Sequence, residues 1–146
     1  MEIQIKSQKK IPGLKNPKIR QNLKKVLNDL GCHDKELSLF FTDDAHIAKF
    51  NEKYLDREGP TNVIAFPMSG GPEPDWESGM MGDVVISVDT AMEESKRADE
   101  SLEKTIYRLL IHGILHLLDY DHERSPADSL RMEKEQTRLL SLITED

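Results

Sequence analysis

Three histidines in this chain are spaced so that they can share one metal ion. They lie in the run His112-Gly113-Ile114-Leu115-His116-Leu117-Leu118-Asp119-Tyr120-Asp121-His122. Residues four apart in an α-helix lie one turn above each other, so His112 and His116 would present their imidazoles on one face. On a continued helix, His122 would lie about 15 Å along the axis from His112. The spacing therefore predicts a helix that ends soon after His116 and a chain that folds back near Asp119.

The three imidazoles define the chemistry of the predicted site. They suit zinc, and also nickel, copper or iron(II). The only cysteine, Cys32, is remote in sequence, so a Cys-rich structural site is excluded. A catalytic zinc with three protein ligands keeps one position open for a water whose pKa it lowers. Hydrolysis of a phosphodiester, peptide, amide or ester bond fits such a site.

The residue after the first histidine discriminates among these reactions. Zinc peptidases with His-Glu-x-x-His use that Glu as the general base, whereas this chain has Gly113. Peptide hydrolysis is therefore disfavoured, although the ligand spacing resembles the longer three-histidine peptidase motif. Gly113 also lowers the helix propensity of this segment. Close approach of another backbone or of a substrate would explain why a glycine stands in the middle of the helix. Asp121 and Glu123 either orient an imidazole or are solvated charges beyond the helix.

The histidine run resembles the YbeY family, in which the pattern is His-Gly-x-Leu-His-Leu-x-Gly-Tyr-Asp-His. Two further blocks are similar to that family: Asn51-x-x-Tyr54 followed by Pro60-Thr61-Asn62-Val63-Ile64-Ala65-Phe66-Pro67, and Gly82-Asp83-Val84-Val85-Ile86-Ser87. The blocks come in the family's order, and the resemblance covers roughly residues 35–125.

The resemblance implies a zinc-dependent endoribonuclease that is specific for single-stranded RNA. It implies one zinc per chain on His112, His116 and His122, a role in processing the 3′ end of 16S ribosomal RNA, and ribosome maturation or quality control. Small-subunit ribosomal proteins or an associated GTPase are the expected partners. Two other classes stay open: a metal-dependent hydrolase of peptides or amides, and a ribosome-associated binding protein with a structural zinc.

The chain departs from the family pattern at two positions. The family carries Gly where this chain has Asp119, and an Arg implicated in activity where this chain has Leu55. Arg57 is the nearest cation downstream, so it is either the catalytic phosphate contact or a surface charge. The Thr61–Asn62 loop and the basic N-terminal segment are further candidates for phosphate contacts.

Length and charge set broader limits. A chain of 146 residues fits one domain, 1–146. It has no apolar run long enough to span a membrane and no signal-peptide core, and it has one cysteine, so we expect a cytoplasmic protein. The net charge is −7, but residues 1–26 carry eight cations and one carboxylate, a local charge of +7. Such a basic segment is either an RNA footprint or a solubilising face.

The elements that would position the histidines predict an α+β fold. We expect a four-stranded mixed sheet packed with about five helices, and a metal site at the end of the long central helix. Strands are predicted around residues 3–5, 37–41, 63–66 and 84–88, with a polar loop containing Trp76 over 68–81. Helix starts are predicted at five capping residues, namely Asn16, Asp43 or Asp44, Asp89, Ser101 and Ser125.

Overall fold

The computed structural model describes residues 2–32, 34–67, 79–118 and 125–144, which form four strands and five helices. This is the α+β class that the sequence predicts. In chain order the elements are β1 (Glu2–Ser7), α1 (Asn16–Asp29), β2 (Glu36–Thr42), α2 (Asp44–Leu55), β3 (Val63–Pro67), β4 (Met80–Ser87), α3 (Val88–Arg97), α4 (Leu102–Leu117) and α5 (Pro126–Ile143).

The sheet is mixed, as predicted, with the strand order β1-β2-β4-β3. β1 and β4 both pair with β2 in parallel, whereas β3 pairs with β4 antiparallel, Val63 opposite Ile86. β1 and β3 are therefore the two edges. β4 begins earlier than predicted, at Met80, and an irregularity in its pairing with β2 falls between Glu36 and Leu37.

The long helix α4 lies at the centre of the apolar core. Its side chains Ile106, Leu110 and Ile114 are fully buried in a cluster that also contains residues of β1, β2 and β4 and of α1 and α3. Ile111 and Leu115 pack on its other side against Met132 and Leu139 of α5. α4 is therefore held between the sheet and α5, which makes it a rigid support for any side chain it carries.

The opposite face of the sheet is covered by α2. Ile47 packs there against Ile64 and Val85. Val85 faces this side because successive strand residues face opposite sides of the sheet, and its neighbours Val84 and Ile86 belong to the core on the other side. An aromatic group adjoins this cluster: Phe50 stacks on Tyr54, and the Tyr54 ring meets the Phe66 ring edge-on. Tyr54 remains 55% exposed at the end of this group.

Polar contacts connect the helices around the core. Asn22 of α1 donates a 2.8 Å hydrogen bond to the buried hydroxyl of Tyr107 in α4. Arg138 of α5 binds Asp29 at the end of α1 and Glu135 on its own helix. Its guanidinium lowers the pKa of both carboxyl groups below their ordinary values. The ion pair between Arg138 and Asp29 joins α5 to the end of α1, and α5 carries one residue of the candidate site.

Three of the predicted helix starts are confirmed. The side chains of Asp43, Ser101 and Ser125 accept hydrogen bonds from the backbone N–H three residues further on, at 2.9 to 3.1 Å. This is the expected geometry of a residue that caps a helix N-terminus. Pro126 follows Ser125 in the first turn, where a proline is tolerated.

The predicted start at Asn16 is wrong by one residue. Lys15 is the capping position: its backbone is extended, and its carbonyl accepts hydrogen bonds from the N–H groups of Lys18 and Ile19. The preceding residue, Leu14, is buried and holds the chain before the helix in place. Asn16 is already the first helical residue, and Pro17 stays in the first turn.

The predicted cap at Asp89 is also wrong. Ser87 caps α3 by accepting from the N–H of Thr90 at 3.2 Å. The carboxylate of Asp89 is engaged elsewhere, by the ammonium of Lys9 and by the backbone N–H of Asp44. Trp76 and most of the predicted 68–81 loop lie outside the described residues. No helix in the described ranges is long and apolar enough to cross a membrane.

Candidate metal centre

His112 and His116 meet as the sequence predicts. The Nε2 atoms of the two rings are 3.0 Å apart, and the ring planes are inclined at 74°. Both side chains are half-buried, near the C-terminal end of α4. Two ring nitrogens therefore converge on one small volume that borders solvent.

A hydrogen bond that His112 donates to another helix orients the first imidazole. Nδ1 of His112 contacts Oε1 of Gln136 in α5. An amide oxygen only accepts, so Nδ1 carries the hydrogen and Nε2 of the neutral ring carries a lone pair. Partners of this kind fix the tautomer and rotation of metal-binding histidines.

Gln136 is a residue that the sequence analysis missed. It is separated from His112 by 24 residues, and neither lies in a motif with the other. The sequence pattern that could have indicated Gln136 is its position in α5. Met132, Gln136 and Leu139 recur at helical spacing, so a polar amide stands in the middle of a buried stripe.

Gly113 determines how closely α4 approaches the sheet. A Cβ atom at this position would lie 2.7 Å from Cγ1 of Val84 and 3.4 Å from Cγ2 of Val63. Ordinary carbon contacts are about 3.5–4.0 Å, so no larger residue fits without movement. The close neighbours of Gly113 are therefore side chains of β3 and β4, where the sequence suggested another backbone or a substrate.

This packing bears on the peptidase alternative. A Glu at position 113, the general base in the peptidase motif, would project toward Val84 in the core. The described residues thus provide neither a carboxylate at this position nor space for one.

The third predicted ligand, His122, lies outside the described residues, as do Asp119, Asp121 and Glu123. The helix itself ends where the spacing requires: α4 finishes at Leu117, one residue after His116, and the Leu118 N–H bonds back to Ile114 and Leu115. The described parts of the chain contain no cluster of three His, Cys, Asp or Glu side chains that could hold a metal ion.

The described pair fits a metal by geometry and by chemistry. Two nitrogens that each lie about 2.0–2.1 Å from one tetrahedral ion are about 3.3 Å apart, close to the observed 3.0 Å. Imidazole nitrogen is a preferred donor for zinc and for other late first-row metals. An adjustment of a few tenths of an ångström would accommodate the ion.

Arg57 lies in the turn after α2, and its side chain is exposed. Asn51 holds this turn at two points: its carbonyl accepts from the Arg57 N–H at 3.2 Å, and its side chain donates to the Gly59 carbonyl at 2.9 Å. Within the described ranges no hydrogen bond or ion pair engages the guanidinium, and none joins it to the histidines. Leu55, the last residue of α2, is 43% exposed.

The Thr61–Asn62 loop has a structural role. Asn62 donates to Glu94 of α3 at 2.9 Å, and its side-chain oxygen accepts from the Val63 N–H at 2.7 Å. Its carbonyl accepts from the N–H of Ser87 at 3.0 Å. Both ends of the amide are therefore used to position the start of β3.

Comparison with known proteins decides the family. The profile of the family described as Endoribonuclease YbeY matches residues 2–144. The chain belongs to the YbeY family. It is 41% identical to the Endoribonuclease YbeY of Syntrophotalea carbinolica over 145 residues, covering 99% of this chain and 97% of that protein. It is 36% identical to that of Aquifex aeolicus, covering 90% of this chain and 85% of the other.

A solved structure shares the fold of this chain. The solution structure of TM1509 from Thermotoga maritima matches 97% of this chain and 88% of its own with a TM-score of 0.70. The sequence identity is 20%, so this likeness concerns the fold alone. The described part of this chain departs from the family pattern given above at Leu55, an exposed apolar residue at the end of α2.

Proposed function

We propose that this protein is a metal-dependent endoribonuclease that cuts single-stranded RNA, with the metal held by His112, His116 and His122. The observation that carries the proposal is the 3.0 Å approach of the two Nε2 atoms on a buried helix, in a chain of the YbeY family. The relatives, which are endoribonucleases, supply the reaction class.

The residues of the chain have distinct roles in this proposal. A divalent ion held by the histidines would supply Lewis-acid chemistry for phosphodiester cleavage. α4 keeps the two imidazoles at a fixed separation because its neighbours on both sides are packed core residues. Gln136 keeps the Nε2 lone pair of His112 directed into the site. Arg57 binds a phosphate of the substrate.

Finer features of the proposal rest on the family resemblance. We propose zinc as the ion, the 3′ end of 16S ribosomal RNA as the place of cleavage, and the cytoplasm as the compartment. The proposed role is in ribosome maturation and quality control. The partners would be small-subunit ribosomal proteins or an associated GTPase.

The direct test is cleavage of a defined single-stranded ribosomal RNA fragment by wild type and His116→Ala. Cleavage by wild type should disappear on chelation and return with added zinc, and the folded variant should be inactive. His46→Ala is the matched control, because His46 is an exposed histidine on α2 that contacts Asp43. Equal residual cleavage by wild type and His116→Ala would refute the proposal and indicate a contaminating nuclease.

A structural metal would give a different result. If the ion only held the fold together, chelation would unfold the domain, and His116→Ala would lose stability along with cleavage. We expect instead that the chelated protein keeps its circular dichroism spectrum, because α4 is already fixed by apolar packing. Loss of helical signal on chelation would favour the structural role.

The role of Arg57 is tested by Arg57→Ala together with Leu55→Arg. Arg57→Ala should lower cleavage, by a factor of about 10–100 if a charge-assisted phosphate contact is lost. Leu55→Arg returns a cation to the family position and should restore part of that loss in the double variant. An unchanged rate for Arg57→Ala would remove Arg57 from the site.

A further inference from the structure

The strongest charge feature outside the metal centre lies along the free edge of β1. Five cations lie there on β1, on the loop that follows and on α1; we call them the basic edge: Lys6, Lys10, Lys15, Arg20 and Lys24. All four lysines are exposed. Within the described ranges none of these lysines forms an ion pair, whereas Lys9 and Lys18 are paired with Asp89 and Glu103.

Two consecutive grooves give the basic edge its shape. One, of about 500 Å³, runs along β1 and is lined by Lys6, Arg20 and Lys24. The next, of about 580 Å³, begins at Ser7 and is lined by Lys10 and Lys15. Glu2, at the far end of β1, is the one acidic residue among those described that line either groove.

Arg20 closes the strand edge itself. Its Nε donates to the carbonyl of Ile3 at 3.2 Å, which occupies a backbone acceptor on the unpaired side of β1. A charged side chain over an edge strand opposes the addition of another strand. The groove is therefore suited to a charged ligand rather than to an extended peptide that pairs with β1.

We propose that the basic edge is a docking surface for the phosphate backbone of RNA that extends beyond the strand being cut. The proposal rests on the function proposed above. No aromatic residue of the described ranges lines either groove, so base stacking is not available there, and the contact is with phosphates.

The position of the basic edge separates it from the metal centre. β1 and β3 are opposite edges of the sheet, three strand spacings or about 14 Å apart. α4, with its histidine pair, packs at Gly113 against β3 and β4. An RNA segment confined to the metal centre does not touch the basic edge, whereas an RNA that extends more than about 14 Å across the sheet contacts both.

The charge of the rest of the protein favours approach of RNA to the basic edge. The whole chain carries −7, and residues 1–26 carry +7, so the remainder carries −14. An RNA is repelled by most of the surface and attracted to the basic edge. Such charge asymmetry orients a polyanion as it approaches.

The test compares two RNAs and two pairs of substitutions. One RNA is a short single-stranded oligonucleotide, and the other is a stem-loop that carries the same single-stranded segment. Lys6→Gln with Lys24→Gln removes two exposed charges from the basic edge. Lys49→Gln with Lys96→Gln, on α2 and α3, removes two exposed charges elsewhere and is the matched control. Binding is measured by fluorescence anisotropy at several salt concentrations, and cleavage is measured separately.

We expect the Lys6/Lys24 variant to bind the stem-loop about 10- to 30-fold more weakly than wild type at about 0.15 M salt, from two lost counterion releases. The slope of log affinity against log salt should fall by about two. Binding and cleavage of the short oligonucleotide should match wild type, and the control pair should change neither RNA.

The possible results separate this inference from the proposed function. Equal stem-loop binding by wild type and the Lys6/Lys24 variant overturns the docking surface, even if wild type cleaves the short RNA. Equal weakening by the control pair also overturns it, because only net charge would then matter. If no RNA is cleaved but the selective loss of stem-loop binding is seen, the docking surface is supported and the proposed function fails. Absence of RNA binding by wild type overturns both.

Discussion

Replacing Gly113 by alanine tests whether packing against the sheet fixes α4 and the histidine pair that it carries. The new Cβ would lie 2.7 and 3.1 Å from the two methyl groups of Val84, about 0.4–1.3 Å closer than ordinary carbon contacts. Val84 cannot easily yield, because it is fully buried in β4 and a β-branched side chain has few χ1 rotamers. Overpacking of this kind costs about 1–3 kcal/mol.

Helix propensity acts in the opposite direction. Alanine is about 0.8–1.0 kcal/mol better than glycine in a helix interior. The net change for Gly113→Ala is therefore a destabilisation of about 0–2 kcal/mol. For a domain of this size that corresponds to a fall in Tm of up to about 8 °C. Where the clash is relieved by movement of α4, His112 moves relative to Gln136, and metal affinity should fall by about 10-fold.

The assay is thermal unfolding with zinc titration, applied to Gly113→Ala, Val84→Ala and the double variant. Val84→Ala alone should cost about 1–3 kcal/mol through the cavity it leaves. In the double variant the methyl group introduced on α4 occupies that cavity, so its stability should exceed the additive expectation by at least about 1 kcal/mol. A Gly113→Ala protein as stable as wild type, with unchanged zinc affinity and additive behaviour in the double variant, would refute the packing explanation.

Two further substitutions test the support of the site and of α5. Gln136→Met removes the acceptor for Nδ1 of His112 and should lower zinc affinity about 10- to 100-fold, whereas Gln136→Glu keeps an acceptor and should keep the affinity. Isothermal titration calorimetry at constant pH measures the affinity of wild type and both variants. Equal zinc affinity for the three proteins would exclude an orienting role of Gln136. Arg138→Met removes the cation that lowers the pKa of Asp29 and Glu135. That stabilisation exists above the unfolded carboxyl pKa values, about 3.9 and 4.3, and is lost as pH falls through the lower folded values. The difference in Tm between wild type and Arg138→Met should therefore be constant above pH about 5 and shrink toward pH about 3. A Tm difference that persists at pH about 3 would show that Arg138 stabilises the protein through packing of its aliphatic stem rather than through its charge.

The sequence predicts those features that depend on neighbouring residues. Asp43, Ser101 and Ser125 cap helices because the capped N–H is only three residues away, so the interaction is complete within one short segment. The approach of His112 and His116 was predictable for the same reason, since helix geometry alone brings i and i+4 together.

Contacts between distant segments account for the wrong prediction at Asp89. Ser87 and Asp89 are both good capping residues, and local sequence does not rank them. Lys9 and Asp44, far away in the chain, engage the carboxylate of Asp89 and leave Ser87 to cap α3. The role of Gln136 could not be predicted for a similar reason. Its partner His112 lies on another helix, and the contact depends on how α5 packs against α4.

Gly113 connects the packing of α4 with the reaction it supports. Because the helix lies so close to Val84, the position next to the first histidine has no space for a carboxylate, and the proton acceptor of peptide hydrolysis has no place there. Cleavage of a phosphodiester depends more on cations placed around the phosphoryl group. The same close contact that excludes a base at position 113 also holds the histidine pair rigidly. The packing of the central helix against the sheet thus disfavours the peptidase arrangement at this position and supports the proposed phosphodiester substrate.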